Sequence, residues 1–125
     1  MRDDIIAHAR QDAPRECCGL IAGDRAGLVQ LFRLTNLDPG TDFYRMDDTE
    51  LFHRYRAIEE AGQEIAVIYH SHPVSPAYPS PRDVQYAAWS DSYYVICSLA
   101  EPSGPRLRAF RIVDGQISEI PITTT

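Results

Sequence analysis

Two histidines separated by one residue form the most informative pattern in this 125-residue chain. Residues 70–73 read His-Ser-His-Pro, and the apolar, β-branched run at residues 67–69 predicts a buried strand leading into them. Side chains alternate between the two faces of a strand, so His70 and His72 should point the same way and Ser71 the opposite way. Two imidazoles converging from one strand end are typical of a metal site.

Asp83 is predicted to supply a third ligand to the same site. Residues 74–79 are rich in proline and serine and predict a loop, after which Ser80 and Pro81 fit a helix N-cap and first helical residue. The helix is expected to continue to Trp89. Asp83 falls in its first turn, where the helix dipole favours an ionised carboxylate; a carboxylate that only caps the helix is the alternative. Three protein ligands leave a fourth tetrahedral position for water, as in catalytic zinc sites.

Glu16 is the candidate acid/base for such a site. It stands directly before an apolar run at residues 17–22 that predicts a strand. A zinc-dependent hydrolase needs a group that takes a proton from water and returns it to the leaving amine. A glutamate at a strand edge suits this role, although Glu16 taken alone would be an ordinary solvated side chain.

Together these residues resemble the motif of the JAMM (MPN-plus) metalloprotease family: a glutamate, then His-x-His-Pro, a short loop, and Ser-x-x-Asp. The chain presents them as Glu16, residues 70–73, Ser80 and Asp83, and the resemblance extends from about residue 5 to residue 121. The chain is most similar to the bacterial Mec-type enzymes, which remove cysteine from the C-terminus of CysO, a ubiquitin-like sulfur carrier protein. Four stretches carry that similarity: residues 16–19, 43–47, 77–80 and 111–115.

The resemblance implies a role for each motif residue. His70, His72 and Asp83 would bind one zinc ion per chain. Glu16 would act as the general acid/base, and Ser80 would hydrogen-bond the oxyanion that forms on the scissile carbonyl. For Ser80 a purely helix-capping role competes with this one, and both could hold if its backbone and side chain divide the work.

The expected substrate is a ubiquitin-like sulfur carrier of the CysO, ThiS or MoaD kind, cut after its terminal Gly-Gly with release of cysteine for cysteine biosynthesis. Such an extended tail would dock as an added strand in a channel flanked by residues 43–46 and 74–79. The candidate substrate-binding residues are Arg45 and Tyr78. Arg45 could meet a substrate carboxylate or an acidic carrier surface, and an ion pair of Arg45 with Asp47 or Asp48 is the structural alternative.

Three other functions compete with this one. The first is deconjugation of another ubiquitin-like modifier, through a peptide or a lysine isopeptide bond. The second is a non-haem Fe(II) enzyme, because two histidines and a carboxylate also describe those sites; Glu16 and Ser80 would then have no obvious role. The third is a non-catalytic MPN scaffold, but family members of that kind have lost the ligands that this chain keeps.

Composition favours a small cytoplasmic enzyme. The net charge of −6 argues against a nucleic-acid partner. No apolar stretch approaches a membrane span, and residues 1–4 lack a signal-peptide profile, so no membrane partner is expected. Three cysteines without a Cys-x-x-Cys pair are expected to be buried strand residues: Cys17, Cys18 and Cys97. Homodimer formation is left open.

The order of elements predicts one α/β domain, residues 1–125, with a mixed sheet flanked by helices, the architecture that the JAMM/MPN fold shares with cytidine deaminases. Helices are predicted at residues 2–11 and 47–61, the second with Leu51, Phe52, Tyr55 and Ile58 as its buried stripe. Besides the metal strand, strands are predicted at residues 17–22, 28–34, 93–99, 106–113 and 116–122. The Asp-Gly pair at residues 114–115 predicts a hairpin. His8 and His53 are expected to be surface or boundary residues.

Overall fold

A six-stranded mixed sheet carries the site, and the computed structural model describes the chain over residues 1–122. The elements are α1 (Arg2–Asp12), β1 (Cys18–Asp24), β2 (Gly27–Leu34), α2 (Asp48–Glu60), β3 (Glu64–His72), α3 (Pro81–Gln85), β4 (Tyr93–Ser98), β5 (Arg106–Val113) and β6 (Gln116–Ile120). The spatial order of the strands is β2-β1-β3-β4-β5-β6. Neighbouring strands are antiparallel except for the parallel pair β3 and β4.

The two faces of β3 are covered by different helices. Val67 and Tyr69 pack in the cluster that contains the apolar side of α1, whereas Ile68 packs with Ile58 of α2. Because side chains alternate along a strand, His70 and His72 project on the same face as Ile68. The predicted sheet with flanking helices is confirmed.

The element boundaries follow the sequence pattern with one clear exception. The third helix was expected to reach Trp89 but ends at Gln85, with Tyr86 as its C-cap. The physical reason is that a side-chain hydroxyl competes with the helical hydrogen bonds: the backbone N–H of Trp89 donates to the hydroxyl of Tyr94 at 3.0 Å instead of continuing the helix. The Asp-Gly hairpin is confirmed, since both residues have the positive φ that its tight turn requires, 50° and 77°.

Two predictions about side-chain burial are wrong. Phe52 and Tyr55 are 48% and 38% exposed, because α2 contacts the sheet mainly through Ile58 and these two aromatic rings lie beside it at the surface. His8 is buried rather than a boundary residue, and its Nδ1 lies 2.8 Å from the hydroxyl of Tyr69. The three cysteines are buried, as expected. Among residues 1–122, no helix combines the length and the apolar character needed to cross a membrane.

Candidate active site

The end of β3 holds two imidazoles in a buried position. Pairing with β1 continues up to His70, and pairing with β4 on the other side continues up to His72. The sheet therefore fixes the backbones of both residues. Their Nε2 atoms lie 3.1 Å apart and both side chains are buried. On the opposite face, the hydroxyl of Ser71 accepts a hydrogen bond from the backbone N–H of Cys17 at 2.8 Å.

A capping box holds Asp83 against the two histidines. The hydroxyl of Ser80 accepts a hydrogen bond from the Asp83 N–H at 3.1 Å, and the Asp83 carboxylate accepts one from the Ser80 N–H at 2.9 Å. The same carboxylate oxygen, Oδ2, lies 3.1 Å from Nε2 of His70 and 3.0 Å from Nε2 of His72. Asp83 therefore caps the helix and faces the histidines at once, so the two expected roles do not exclude each other.

The three atoms form a nearly equilateral triangle that suits a metal ion. Each carries a lone pair, and three such atoms facing one another in a buried site need a proton or a cation between them. Ligand atoms of a tetrahedral zinc ion lie about 3.3 Å apart, given bonds of about 2.0–2.1 Å. The observed separations of 3.0–3.1 Å are close to that spacing. The donor set therefore fits a divalent ion.

The surroundings of His70 and His72 also set which ring nitrogens carry a proton. Nδ1 of His72 lies 2.7 Å from the carbonyl of Pro76, so its N–H donates there and Nε2 is left as the free nitrogen. Burial lowers the pKa of His70, which favours the neutral form that binds metals. Burial by itself would raise the pKa of Asp83, but the two neighbouring imidazoles and the Ser80 N–H bring it well below its usual value.

Glu16 lies beside the triangle rather than in it. Cys18 pairs with His70 in the β1–β3 register, and continuing that register by two residues carries Glu16 to the side of His72. A carboxylate oxygen of Glu16 and one ring nitrogen from each histidine lie within 4.8 Å of one another. Asp83 lies closer, with Oδ2 3.0–3.1 Å from both Nε2 atoms, whereas no oxygen of Glu16 lies within 4.0 Å of a ring nitrogen of either histidine.

The environment of Glu16 suits a group that exchanges protons. Its side chain is buried, and Oε1 has no hydrogen-bond partner among the described residues. Burial raises the pKa of Glu16 to about 8, partly opposed by the nearby His72. A carboxyl group with a pKa near neutrality can both accept and donate a proton under physiological conditions.

Tyr44 is a site residue that sequence analysis placed only in a channel flank. Its ring stacks on His70 with centroids 4.4 Å apart and an interplanar angle of 27°. Nδ1 of His70 has no hydrogen-bond partner among the described residues, so this stack is the contact that fixes the ring plane from outside the triangle. The only signal in the sequence is the Phe-Tyr-Arg stretch, whose spacing to the histidines carries no geometric information.

A groove of about 510 Å³ leads away from Asp83. Arg82 lies across its lining with its guanidinium 4.0 Å from the ring centre of Phe43. Arg45 also lines the groove; its side chain is exposed and forms no ion pair with residues 47–48 or with any other part of residues 1–122. Tyr78 lies outside this lining and packs edge-on against Phe110 at 5.5 Å. The structure thus brings Arg45 to the groove and places Tyr78 outside it.

This geometry agrees with the comparison to known proteins. The model of the prokaryotic homologues of the JAB domain matches residues 1–113. The chain belongs to this family. The family is metal-dependent. As a member of it, the chain is a JAB-type metallopeptidase.

Three curated relatives have peptidase names. The CysO-cysteine peptidase of Mycobacterium tuberculosis is 41% identical over 120 residues, covering 94% of this chain and 82% of that protein. The probable TtuB-protein conjugate cleaving protease of Thermus thermophilus is 36% identical, covering 91% and 73%. The desampylase of Haloferax volcanii is 34% identical, covering 97% and 89%.

Solved structures show the same fold. A protein from Desulfitobacterium hafniense, solved in solution, superposes with a TM-score of 0.85 at 34% identity, covering 98% of this chain and 86% of its own. A JAB1/MPN domain protein from Archaeoglobus fulgidus superposes with a TM-score of 0.62 at 17% identity, covering 94% and 89%. The second likeness is one of fold alone.

The donor triangle predicts that metal binding depends on its members. Replacing a histidine removes one of three protein ligands, so His70→Ala and His72→Ala should lower metal affinity by more than about 100-fold. Metal content per chain, measured by elemental analysis after dialysis against a defined free metal concentration, checks this. His53→Ala is the control, because His53 is exposed on α2 and should not affect metal content. Equal metal content in all the variants would contradict the assignment.

Proposed function

We propose that the protein is a zinc peptidase that cleaves directly after the C-terminal Gly-Gly of a ubiquitin-like sulfur carrier and releases cysteine. The observation that carries this proposal is a buried triangle of donors from His70, His72 and Asp83 with the unpartnered carboxyl of Glu16 beside it. That arrangement supports metal-assisted hydrolysis. The 41% identity to a CysO-cysteine peptidase supports the choice of substrate.

Glu16 would move the protons of the reaction. A zinc ion held by the triangle would polarise the scissile carbonyl and acidify a water molecule. The Glu16 carboxylate would take a proton from that water as its oxygen attacks the carbonyl carbon. The same proton would then pass from Glu16 to the amine of the leaving group as the C–N bond breaks, which returns Glu16 to its starting state.

Ser80 would stabilise the oxyanion in this scheme. Its hydroxyl oxygen accepts a hydrogen bond from the Asp83 N–H, but its own hydrogen is not used in that contact. A hydroxyl can accept and donate at the same time, so this hydrogen is free to meet the developing negative charge. Helix capping fixes the oxygen in place, and the position of the donor is therefore set before the substrate arrives.

The groove supports a substrate with a glycine-rich tail and a terminal carboxylate. Phe43, Tyr44 and the stem of Arg82 line its walls close to Asp83, which favours an extended chain with small side chains next to the scissile bond. The free guanidinium of Arg45 at the groove is a suitable partner for the carboxylate of a released cysteine. Tyr78 is exposed outside the groove and would contact the body of the carrier rather than its tail.

Deconjugation of another ubiquitin-like modifier is the second candidate. It is favoured by the similarity to a TtuB-protein conjugate cleaving protease and to a desampylase. A non-haem iron enzyme and a non-catalytic scaffold receive less support, because neither gives a role to a buried acid such as Glu16 beside the metal position. The proposal includes a cytoplasmic location for the protein and its carrier.

Glu16→Gln separates chemistry from metal binding. Glutamine keeps the shape of the side chain but cannot carry the proton, so turnover should fall by roughly 10²–10⁴-fold while metal content is unchanged. Steady-state rates and metal analysis of the same preparation measure both. Glu64→Gln is the matched control, because Glu64 is an exposed glutamate at the start of β3. Loss of the metal with turnover in Glu16→Gln would make Glu16 a ligand instead.

The carrier tail should be tested at its last glycine. Replacing that glycine by valine should slow cleavage by roughly 10- to 100-fold, since forcing extra methyl groups into a close-fitting site costs about 1–3 kcal/mol. The same replacement several residues upstream should have little effect. Product masses from a carrier–cysteine conjugate measure the cut. Equal rates on unrelated unstructured peptides would indicate a general peptidase and contradict the carrier proposal.

Arg45→Ala tests recognition of the cysteine carboxylate. The variant should raise KM for the carrier–cysteine conjugate by roughly tenfold, the effect of losing a charge-assisted hydrogen bond. A conjugate with cysteinamide lacks the carboxylate, so Arg45→Ala should hardly affect its KM. Arg25→Ala, in the exposed turn between β1 and β2, is the matched control. The same KM increase on both conjugates would contradict the role.

A further inference from the structure

Asn36, the one asparagine of the chain, is buried where the chain leaves β2 for a long loop. Its side chain uses both ends of the amide. Nδ2 donates to the backbone carbonyl of Glu16 at 2.9 Å and to that of Phe43 at 3.4 Å. Oδ1 accepts from the backbone N–H of Asp38 at 2.8 Å and from that of Arg45 at 2.9 Å. The four contacts use the whole hydrogen-bonding capacity of a carboxamide.

The contacts fix the orientation of the amide. Reversing it would set NH₂ hydrogens against two backbone N–H groups and an oxygen against two carbonyls. All four contacts would then be repulsive in a buried position, where an unsatisfied polar group costs about 1–3 kcal/mol. Asn36 therefore has one allowed orientation. It cannot move without displacing the segments that it holds.

These segments are the ones that carry Glu16 and one wall of the groove. The carbonyl of Glu16 is held directly, and the Phe43 and Arg45 contacts lie on either side of Tyr44, the residue stacked on His70. Main-chain contacts close the same loop, since the Leu37 N–H donates to the Arg45 carbonyl at 2.8 Å. One side chain thus links the proton-transfer residue to the groove wall.

We propose that Asn36 is a positioning residue for the reaction, acting through the backbone of Glu16. It fixes Glu16 relative to the histidine pair and fixes Tyr44 and Arg45 along the groove. This role rests on the proposed function, in which Glu16 transfers the proton. Asn36 does not line the groove, so it acts on the geometry of the site and not on its chemistry.

Asn36→Asp tests the link because it changes only one end of the amide. The carboxylate can still accept from the Asp38 and Arg45 N–H groups, but it cannot donate to the Glu16 and Phe43 carbonyls. kcat should fall by roughly 10- to 100-fold, the cost of misplacing a reacting group by about 1 Å. KM for the carrier conjugate and metal content should stay close to those of the unchanged protein.

Asn36→Ala removes both the donor and the acceptor of the amide. It should lower kcat and also raise KM, because Arg45 is released as well. A double-mutant cycle then identifies the path of the effect. In a Glu16→Gln background, measured by single turnover at high enzyme concentration, Asn36→Asp should lower the rate by less than about twofold. A full 10- to 100-fold loss in that background, or an unchanged kcat of Asn36→Asp alone, would overturn the proposal.

The controls separate positioning from stability and from the proposed function. Ser92→Ala removes another buried side chain that donates to a backbone carbonyl, that of Ile65 at 2.7 Å, and should leave kcat unchanged. Arg15→Gln tests the same loop if the Asn36 variants do not fold. Nη2 of Arg15 donates to the Asn36 carbonyl at 2.7 Å, so its loss should lower kcat with KM and metal content kept; an unchanged kcat would count against the proposal. Full turnover in Glu16→Gln itself would instead overturn the proposed function.

Discussion

Three buried atoms with lone pairs, Nε2 of His70, Nε2 of His72 and Oδ2 of Asp83, face one another at 3.0–3.1 Å, and much of the structure serves to hold them there. Without a cation or a proton between them, this arrangement would be unfavourable in a site removed from water. Two rigid devices maintain it. The sheet holds His70 between β1 and β4 and holds His72 against β4, and the capping box with Ser80 fixes the carboxylate.

Strand register sets how far each of the two acids lies from the histidines. The β1–β3 pairing brings Glu16 alongside His72 but leaves it farther away than Asp83, which arrives from a separate helix. Burial without a hydrogen-bond partner then raises the pKa of Glu16 to about 8, whereas the imidazoles lower that of Asp83. The pKa values of the two carboxyl groups thus shift in opposite directions because their neighbours differ, and such a division is typical of general acid/base sites.

The loop after β2 is the least regular part of the site and yet is firmly tied. Asn36 satisfies two carbonyls and two N–H groups that would otherwise be left unpaired as the chain passes Glu16 and then returns to Tyr44 and Arg45. A buried loop is tolerable only when its backbone polar groups find partners. Here the same contacts that make the loop permissible also determine where the groove lies relative to the metal position.

The sequence by itself determined the elements and the chemistry of the site. Alternation along β3 places His70 and His72 on one face whatever the rest of the chain does, and the Ser-Pro-x-Asp pattern predicts a capped helix start, because both effects act within a few residues. The tertiary structure alone decided how far Glu16 lies from the histidines, that Tyr44 stacks on His70, that Tyr78 faces Phe110, and that Phe52 and Tyr55 stay exposed. These features depend on strand register and on how closely α2 approaches the sheet. Such long-range packing is set by the summed contacts of distant segments, so no local pattern of residues encodes it.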